Sequence, residues 1–150
     1  MATIQKEIAI ERSKEFVWDA IRDLAAIHKR LVPGFVVDCK LEGGWRTVTF
    51  ANGMVVRELI VAVDDKICRH AWSARGAPLT HHNASVQVFA DGDDKCRVVW
   101  IADLMPNEVA DTIGEMIQQA LNRMKTNARR HYNCSLTLPK EGCTRHQYIG

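Results

Sequence analysis

The chain has 150 residues, 47% of them hydrophobic and 25% charged, and its 20 basic and 18 acidic side chains give a formal net charge of +2. That length suits one domain able to bury roughly two thirds of its unfolded surface. The near-balanced, interspersed charge argues against nucleic acid as a partner, and the composition excludes a collagen-like, disordered or disulfide-stapled chain.

The first residues, MATIQKEIAIERS, alternate apolar and charged side chains and lack the apolar centre of a signal peptide. No run approaches the roughly 20 apolar residues that span a bilayer, so no membrane insertion is expected. Cys39, Cys68, Cys96, Cys134 and Cys143 are odd in number and scattered, with no CxxC pair. Free thiols in a reducing, cytoplasmic setting account for them best.

Thr3 to Glu11 predicts a strand, with Ile4, Ile8 and Ile10 on one face and Gln5, Glu7 and Glu11 on the other. Lys6 interrupts the apolar face, as an edge or terminal strand allows. Ser13 is placed to cap a helix, with Glu15 in the first turn where the helix dipole favours an anion. Phe16, Val17, Ala20, Ile21 and Leu24 recur at helical spacing, and a continuation through Ile27 and Leu31 stops at Pro33-Gly34. Lys14 to Val32 is therefore expected as a bent or broken pair of short helices.

From Phe35 the period changes to two. Strands are expected over Phe35–Leu41, Trp45–Phe50, Met54–Val63, Lys66–Ala74, His81–Ala90 and Lys95–Leu104. Glu42-Gly43-Gly44, Asn52-Gly53, Asp64-Asp65 and Asp91-Gly92-Asp93-Asp94 supply the turns, and Arg75 to Leu79 a loop. Short connections of this kind predict an antiparallel meander. Pro106-Asn107 then opens the longest helix, to about Arg130. Val109, Ile113, Met116, Ile117, Ala120, Leu121, Met124 and Ala128 form its single apolar stripe.

The predicted class is α+β: a seven-stranded curved antiparallel sheet wrapped around a long C-terminal helix, with two short N-terminal helices. One helix, about 10 Å across, is narrower than a seven-stranded sheet. The short helices can plug only one end, so an internal cavity is expected between sheet and helix, where small ligands bind.

Several residues stand out as candidates within that frame. Glu58 interrupts the apolar run Met54–Val63; it faces solvent, pairs with Arg46 or Arg57, or lines the cavity. Arg57 is its neighbour and points to the opposite face. His70 and Trp72 share one strand face, while His81 and His82 begin the next strand near the loop. On that strand, His81, Asn83, Ser85 and Gln87 share one face and His82, Ala84, Val86 and Val88 the other; apolarity alone sends Val86 and Val88 inward. The same question of register separates Val99, Ile101 and Asp103 from Val98, Trp100 and Leu104. No GxSxG, Walker A or GxGxxG pattern is present.

The order of elements, together with Gly44-Trp45-Arg46-Thr47-Val48-Thr49-Phe50, Asn52-Gly53, Val56-Arg57-Glu58-Leu59 and Val63-Asp64-Asp65, resembles the START-like, helix-grip superfamily (SRPBCC). Within it, the polyketide cyclase/dehydrase-like bacterial proteins are the nearest type. Trp72, the Gly76-Ala77-Pro78 loop, Trp100 and Leu104-Met105-Pro106 agree with that resemblance, which covers about Thr3 to Arg130.

The resemblance implies a pocket for a hydrophobic or amphiphilic small molecule such as a polyketide, a lipid or an aromatic metabolite. It places Glu58 in the lining, and also Asn83 and Ser85, the register adopted here as the expectation. Arg46, His70 and Trp72, with Ile113 and Ile117 from the helix stripe, complete the expected set. The hairpin at Ala51-Asn52-Gly53 and the Ala74–Thr80 loop lie where the plant abscisic-acid receptors of the superfamily carry gate and latch sequences, and those sequences are absent here. One alternative is a cyclase or dehydratase in which Glu58 or a histidine moves protons; a second is a protein-interaction module. No cofactor is expected, and a homodimer is left open.

The helix-grip domain is expected over 1–131, with 132–150 an irregular tail. His131, Cys134, Cys143 and His146 are in principle four zinc ligands, but their spacing is not that of a finger and no metal is expected.

Overall fold

A computed structural model describes residues 2–137, with side chains described through 130. Seven antiparallel strands form one sheet: β1 (Ala2–Ile10), β2 (Val36–Glu42), β3 (Trp45–Phe50), β4 (Val55–Asp64), β5 (Arg69–Arg75), β6 (His81–Ala90) and β7 (Cys96–Met105). Their order across the sheet is β1-β7-β6-β5-β4-β3-β2. Six consecutive strands thus run as a meander, and the first strand returns to pair with the last, Ile4 opposite Ala102 and Ile10 opposite Cys96. β1 is an edge strand. Its Lys6 lies on the inner face, where its stem reaches the backbone of Gly114 in the final helix.

Local chemistry sets the turns. Gly43 and Gly44 both take positive φ, 56° and 79°, as a two-residue hairpin loop between β2 and β3 demands. Between β4 and β5, Asp64 Oδ1 accepts from the backbone N–H groups of Lys66 and Ile67 at 2.9 and 3.4 Å, and Cys68 sits at φ 53°. This ordered turn takes up the residues from Lys66 onward, so β5 begins at Arg69 and not at Lys66 as its alternation predicted.

The helical segment after β1 is broken as expected, into α1 (Lys14–Arg22) and α2 (Ile27–Arg30). Ser13 caps α1 by accepting from the Phe16 N–H at 3.2 Å. The break is braced by Arg30, whose guanidinium reaches the carboxylates of Asp19 and Asp23. After a 3-10 turn at Asn107–Val109, α3 spans Ala110–Thr137, continuing past the expected end at Arg130. The rest of the tail, with the side chains of His131, Cys134, Cys143 and His146, lies outside the described residues.

α3 packs mainly on β1 and more lightly on β7, while α1 covers parts of β6 and β7 and α2 lies against β2. Leu121 from α3 is fully buried, as are Ile10, Val88, Cys96, Val98 and Leu104 from the sheet. Burying a side chain of that kind contributes about 1.5–3 kcal/mol. Asn127 of α3 donates to the Arg30 carbonyl at 2.9 Å and so ties the long helix to α2. No helix among the described residues is long and apolar enough to cross a membrane.

Candidate ligand-binding site

A cavity of about 80 Å³ lies between the inner face of β3–β7 and the short helices. Its apolar wall comes from Ile21 of α1, Ile27 of α2, Leu31 and Val32 after it, Val48 of β3 and Val86 of β6; α3 supplies only Ala120. Its polar wall comes from three strands in succession: Arg46 on β3, Glu58 on β4 and His70 on β5.

Arg46 and Glu58 are direct partners in the β3–β4 ladder, and period-two alternation turns both inward. Arg46 donates to Glu58 Oε2 from Nε at 2.8 Å and from Nη2 at 2.6 Å, and its Nη1 points to the Leu24 carbonyl at 3.4 Å. The side chains are only 6% and 11% exposed, so each charge depends on the other for compensation. Arg57, one residue away, faces outward and stacks over the Trp45 ring at 4.3 Å.

His70 is 2% exposed. Its Nδ1 lies 3.0 Å from the Ala62 carbonyl, which can only accept, so Nδ1 carries the proton and Nε2 the lone pair. Desolvation pushes the His70 pKa down to about 4, assisted by the Arg46 charge and opposed by the Ala62 hydrogen bond. The ring is therefore neutral near pH 7. It stacks on Trp72 at 4.9 Å, and Trp72 meets Trp100 edge-on at 5.2 Å. Neither His70 Nε2 nor the Trp100 indole N–H has a hydrogen-bond partner among the described residues, and both atoms are buried.

The structure corrects the expected register of β6. Ala84, Val86 and Val88 face inward at 4%, 3% and 2% exposure, while Asn83 and Ser85 lie on the outer face, away from the cavity. Burying Asn83 unpartnered would carry a desolvation penalty that the valines avoid. On the outside it is satisfied, with Oδ1 2.8 Å from His81 Nε2 and Nδ2 donating to Asp103 Oδ2 at 3.1 Å. On β7 the same alternation brings Trp100 and Leu104 inward.

Ile113 and Ile117 are likewise displaced from the expected lining. They pack in and against the core beneath α3, because the helix lies toward β1 and leaves the cavity to the short helices. His81 is exposed on the outer face. His82 is half-buried, and its Nδ1 accepts the Ala74 backbone N–H at 2.9 Å, so it serves the sheet.

Sequence reasoning did not assign Val86, Trp100 and Ile27 to the site. For the first two the signal was present in the plain alternation of β6 and β7. The buried thiols offer no reactivity: desolvation raises Cys39, and raises Cys96 to about 11. Among the described residues, no three His, Cys, Asp or Glu side chains gather as a metal site.

Residues 1–129 match the family model described as polyketide cyclase / dehydrase and lipid transport. The chain belongs to that family. Among curated proteins no relative matches. Among solved structures, a Bacillus thuringiensis protein is 20% identical with a TM-score of 0.77, the alignment covering 85% of this chain and 99% of the other. The di-domain ARO/CYC BexL, from the BE-7585A biosynthetic pathway, is 14% identical with a TM-score of 0.77, over 89% of this chain and 48% of BexL. Norcoclaurine synthase from Thalictrum flavum is 18% identical with a TM-score of 0.67, over 87% and 92%. At such identities, these structures share with this member of the cyclase / dehydrase and lipid transport family its helix-grip fold alone.

Proposed function

We propose that the protein binds a hydrophobic or amphiphilic small molecule in the cavity beneath its short helices. The observation that carries this reading is the buried Arg46–Glu58 pair set beside His70 in an otherwise apolar wall. A domain stabilised only by packing gains little from a charged pair buried in its interior, whereas a few polar groups in an apolar cavity are the usual composition of a ligand site. Family membership supports the same reading.

The volume narrows the ligand. Drug-sized pockets run to about 300–1,000 Å³, and the enclosed space here is about 80 Å³. A lipid or polycyclic polyketide therefore requires the α2 wall or the neighbouring loops to move outward. A single-ring aromatic metabolite requires the least adjustment.

The cyclase or dehydratase reading stands second. It is favoured by the fixed tautomer of His70, which leaves the Nε2 lone pair free to take a proton. Two features weigh against it. A base with a pKa near 4 is poorly matched to neutral pH, and the Glu58 oxygen that accepts from Arg46 is already engaged twice.

Native mass spectrometry of the protein purified gently from its host tests binding. The expected result is a mass excess released on denaturation, absent from a Val86→Phe variant whose enlarged side chain fills the cavity floor. A mass excess carried equally by both proteins places any ligand elsewhere.

A further inference from the structure

The cross-strand register sets His70, Val86 and Trp100 in a single row, His70 opposite Val86 on β5–β6 and Val86 opposite Trp100 on β6–β7. All three line the cavity. His70 and Trp100 are thus two strands apart, roughly 10 Å between backbones, and the short Val86 forms a low floor between two taller rings. One wall offers an acceptor, His70 Nε2, and the other a donor, the Trp100 indole N–H. Both atoms are buried without a partner among the described residues. Buried polar atoms are normally satisfied, and here the two unmet atoms have opposite hydrogen-bonding character and border the same small space.

The charges nearby are already balanced. The Arg46 guanidinium is matched by the Glu58 carboxylate at 2.6 and 2.8 Å, so an ionic group entering the cavity would find no free counter-charge on that pair.

Building on the binding reading above, we propose that the ligand segment held over Val86 is an uncharged oxygenated group. It donates a hydrogen bond to His70 Nε2 and accepts one from Trp100 Nε1–H. Phenols, enols and hydroxy-ketones have this chemistry. Carboxylates and amines lack it in their charged forms, and a bare hydrocarbon lacks it altogether. Before the ligand enters, water can fill the same two roles, which makes bound water the competing occupant.

The test uses the ¹⁵N-labelled full chain titrated separately with resorcinol and with m-xylene, two rings of like shape that differ in their hydroxyls. One ring needs the wall to yield slightly, since benzene enters an engineered apolar cavity of about 150 Å³. The expected result is that resorcinol moves the Trp100 indole proton downfield and m-xylene does not. Trp100→Phe should then weaken resorcinol about fivefold, the value of one neutral hydrogen bond, while leaving m-xylene within about twofold. Retained m-xylene binding also shows that the variant's cavity is intact.

If both probes bind but shift the indole proton equally, recognition is by shape alone and the inference fails while the cavity reading stands. An unchanged resorcinol affinity in Trp100→Phe has the same meaning. If neither probe binds the wild-type chain, water is the only occupant, and the inference fails together with the reading on which it rests. The wild-type spectra decide the matter even where the substitution disturbs the fold.

Discussion

The two ends of the sheet are built from the same alternating strands and are finished differently. At the β1–β7 end, α3 lies directly on the strands, and Val98, Leu104 and Leu121 are sealed at 0–2% exposure. Around β3–β5 no long helix reaches the inner face. Two short helices roof it, and the wall there holds Arg46, Glu58 and His70. The difference follows from width. One helix of about 10 Å seals only two strands or so at 4.7–4.9 Å spacing, and the uncovered strands are where a cavity persists and where polar side chains can serve a ligand. The same fold thus contributes stability at one end and offers a site at the other.

The largest expected effect comes from breaking the polar wall. Arg46→Leu leaves the Glu58 carboxylate buried and uncompensated, and should cost about 3–5 kcal/mol in urea denaturation. The double variant Arg46→Met with Glu58→Leu should recover most of that loss, because two apolar side chains need no counter-charge. A double variant as unstable as the single one would mean that the pair is required by the fold itself.

Acid should act mainly through His70. The unfolded chain takes up a proton near pH 6.5, while the folded chain refuses it until about pH 4. A folded-state pKa below the unfolded value means that this contribution to stability is complete above pH 6.5 and is lost as pH falls toward 4. The loss should be on the order of 3 kcal/mol. Comparing stability with pH for the wild type and His70→Gln isolates it, since the other groups titrate in both; parallel profiles would contradict the buried, neutral ring.

Added methylenes should separate the two ends by sign. Val98→Ile at the sealed end should destabilise by about 1–3 kcal/mol through overpacking. Val86→Ile, beside the cavity, should be neutral or stabilising by up to about 1 kcal/mol. Thermal unfolding of both variants checks this, and an equal loss in each would erase the distinction. Smallest of all, Ser85→Ala on the outer face should stay within about 0.5 kcal/mol and leave ligand uptake unchanged.

The fold was legible in the sequence because its signals were redundant. Ser13, the paired glycines at Gly43-Gly44, and the stripe from Val109 to Ala128 each specify one element, and together they allow few arrangements. The site was legible only in part. Arg46 and Glu58 were readable as a cross-hairpin pair, since neighbouring strands with opposite charges at matching positions admit few other solutions. The register of β6 went the other way. Similarity to the receptors argued for Asn83 and Ser85 inward, whereas burial of Val86 and Val88 decided the outcome, with Asp103 and His81 available outside to satisfy Asn83. Ile113 and Ile117 lie on an apolar stripe whose existence was plain, but a stripe does not say over which strands its helix will rest. The unmet atoms of His70 and Trp100 depend on three-dimensional partners and had no counterpart in the sequence.

The most direct test of the central claim, that one end of the sheet is sealed and the other holds a binding cavity, is a crystal structure under xenon pressure. Xenon enters internal apolar space and reports it as a strong, localised peak. The account predicts a site over Val86, bounded by Ile27, Val48 and Trp100, and none between α3 and β1. A xenon peak beneath α3, with none over Val86, would contradict it.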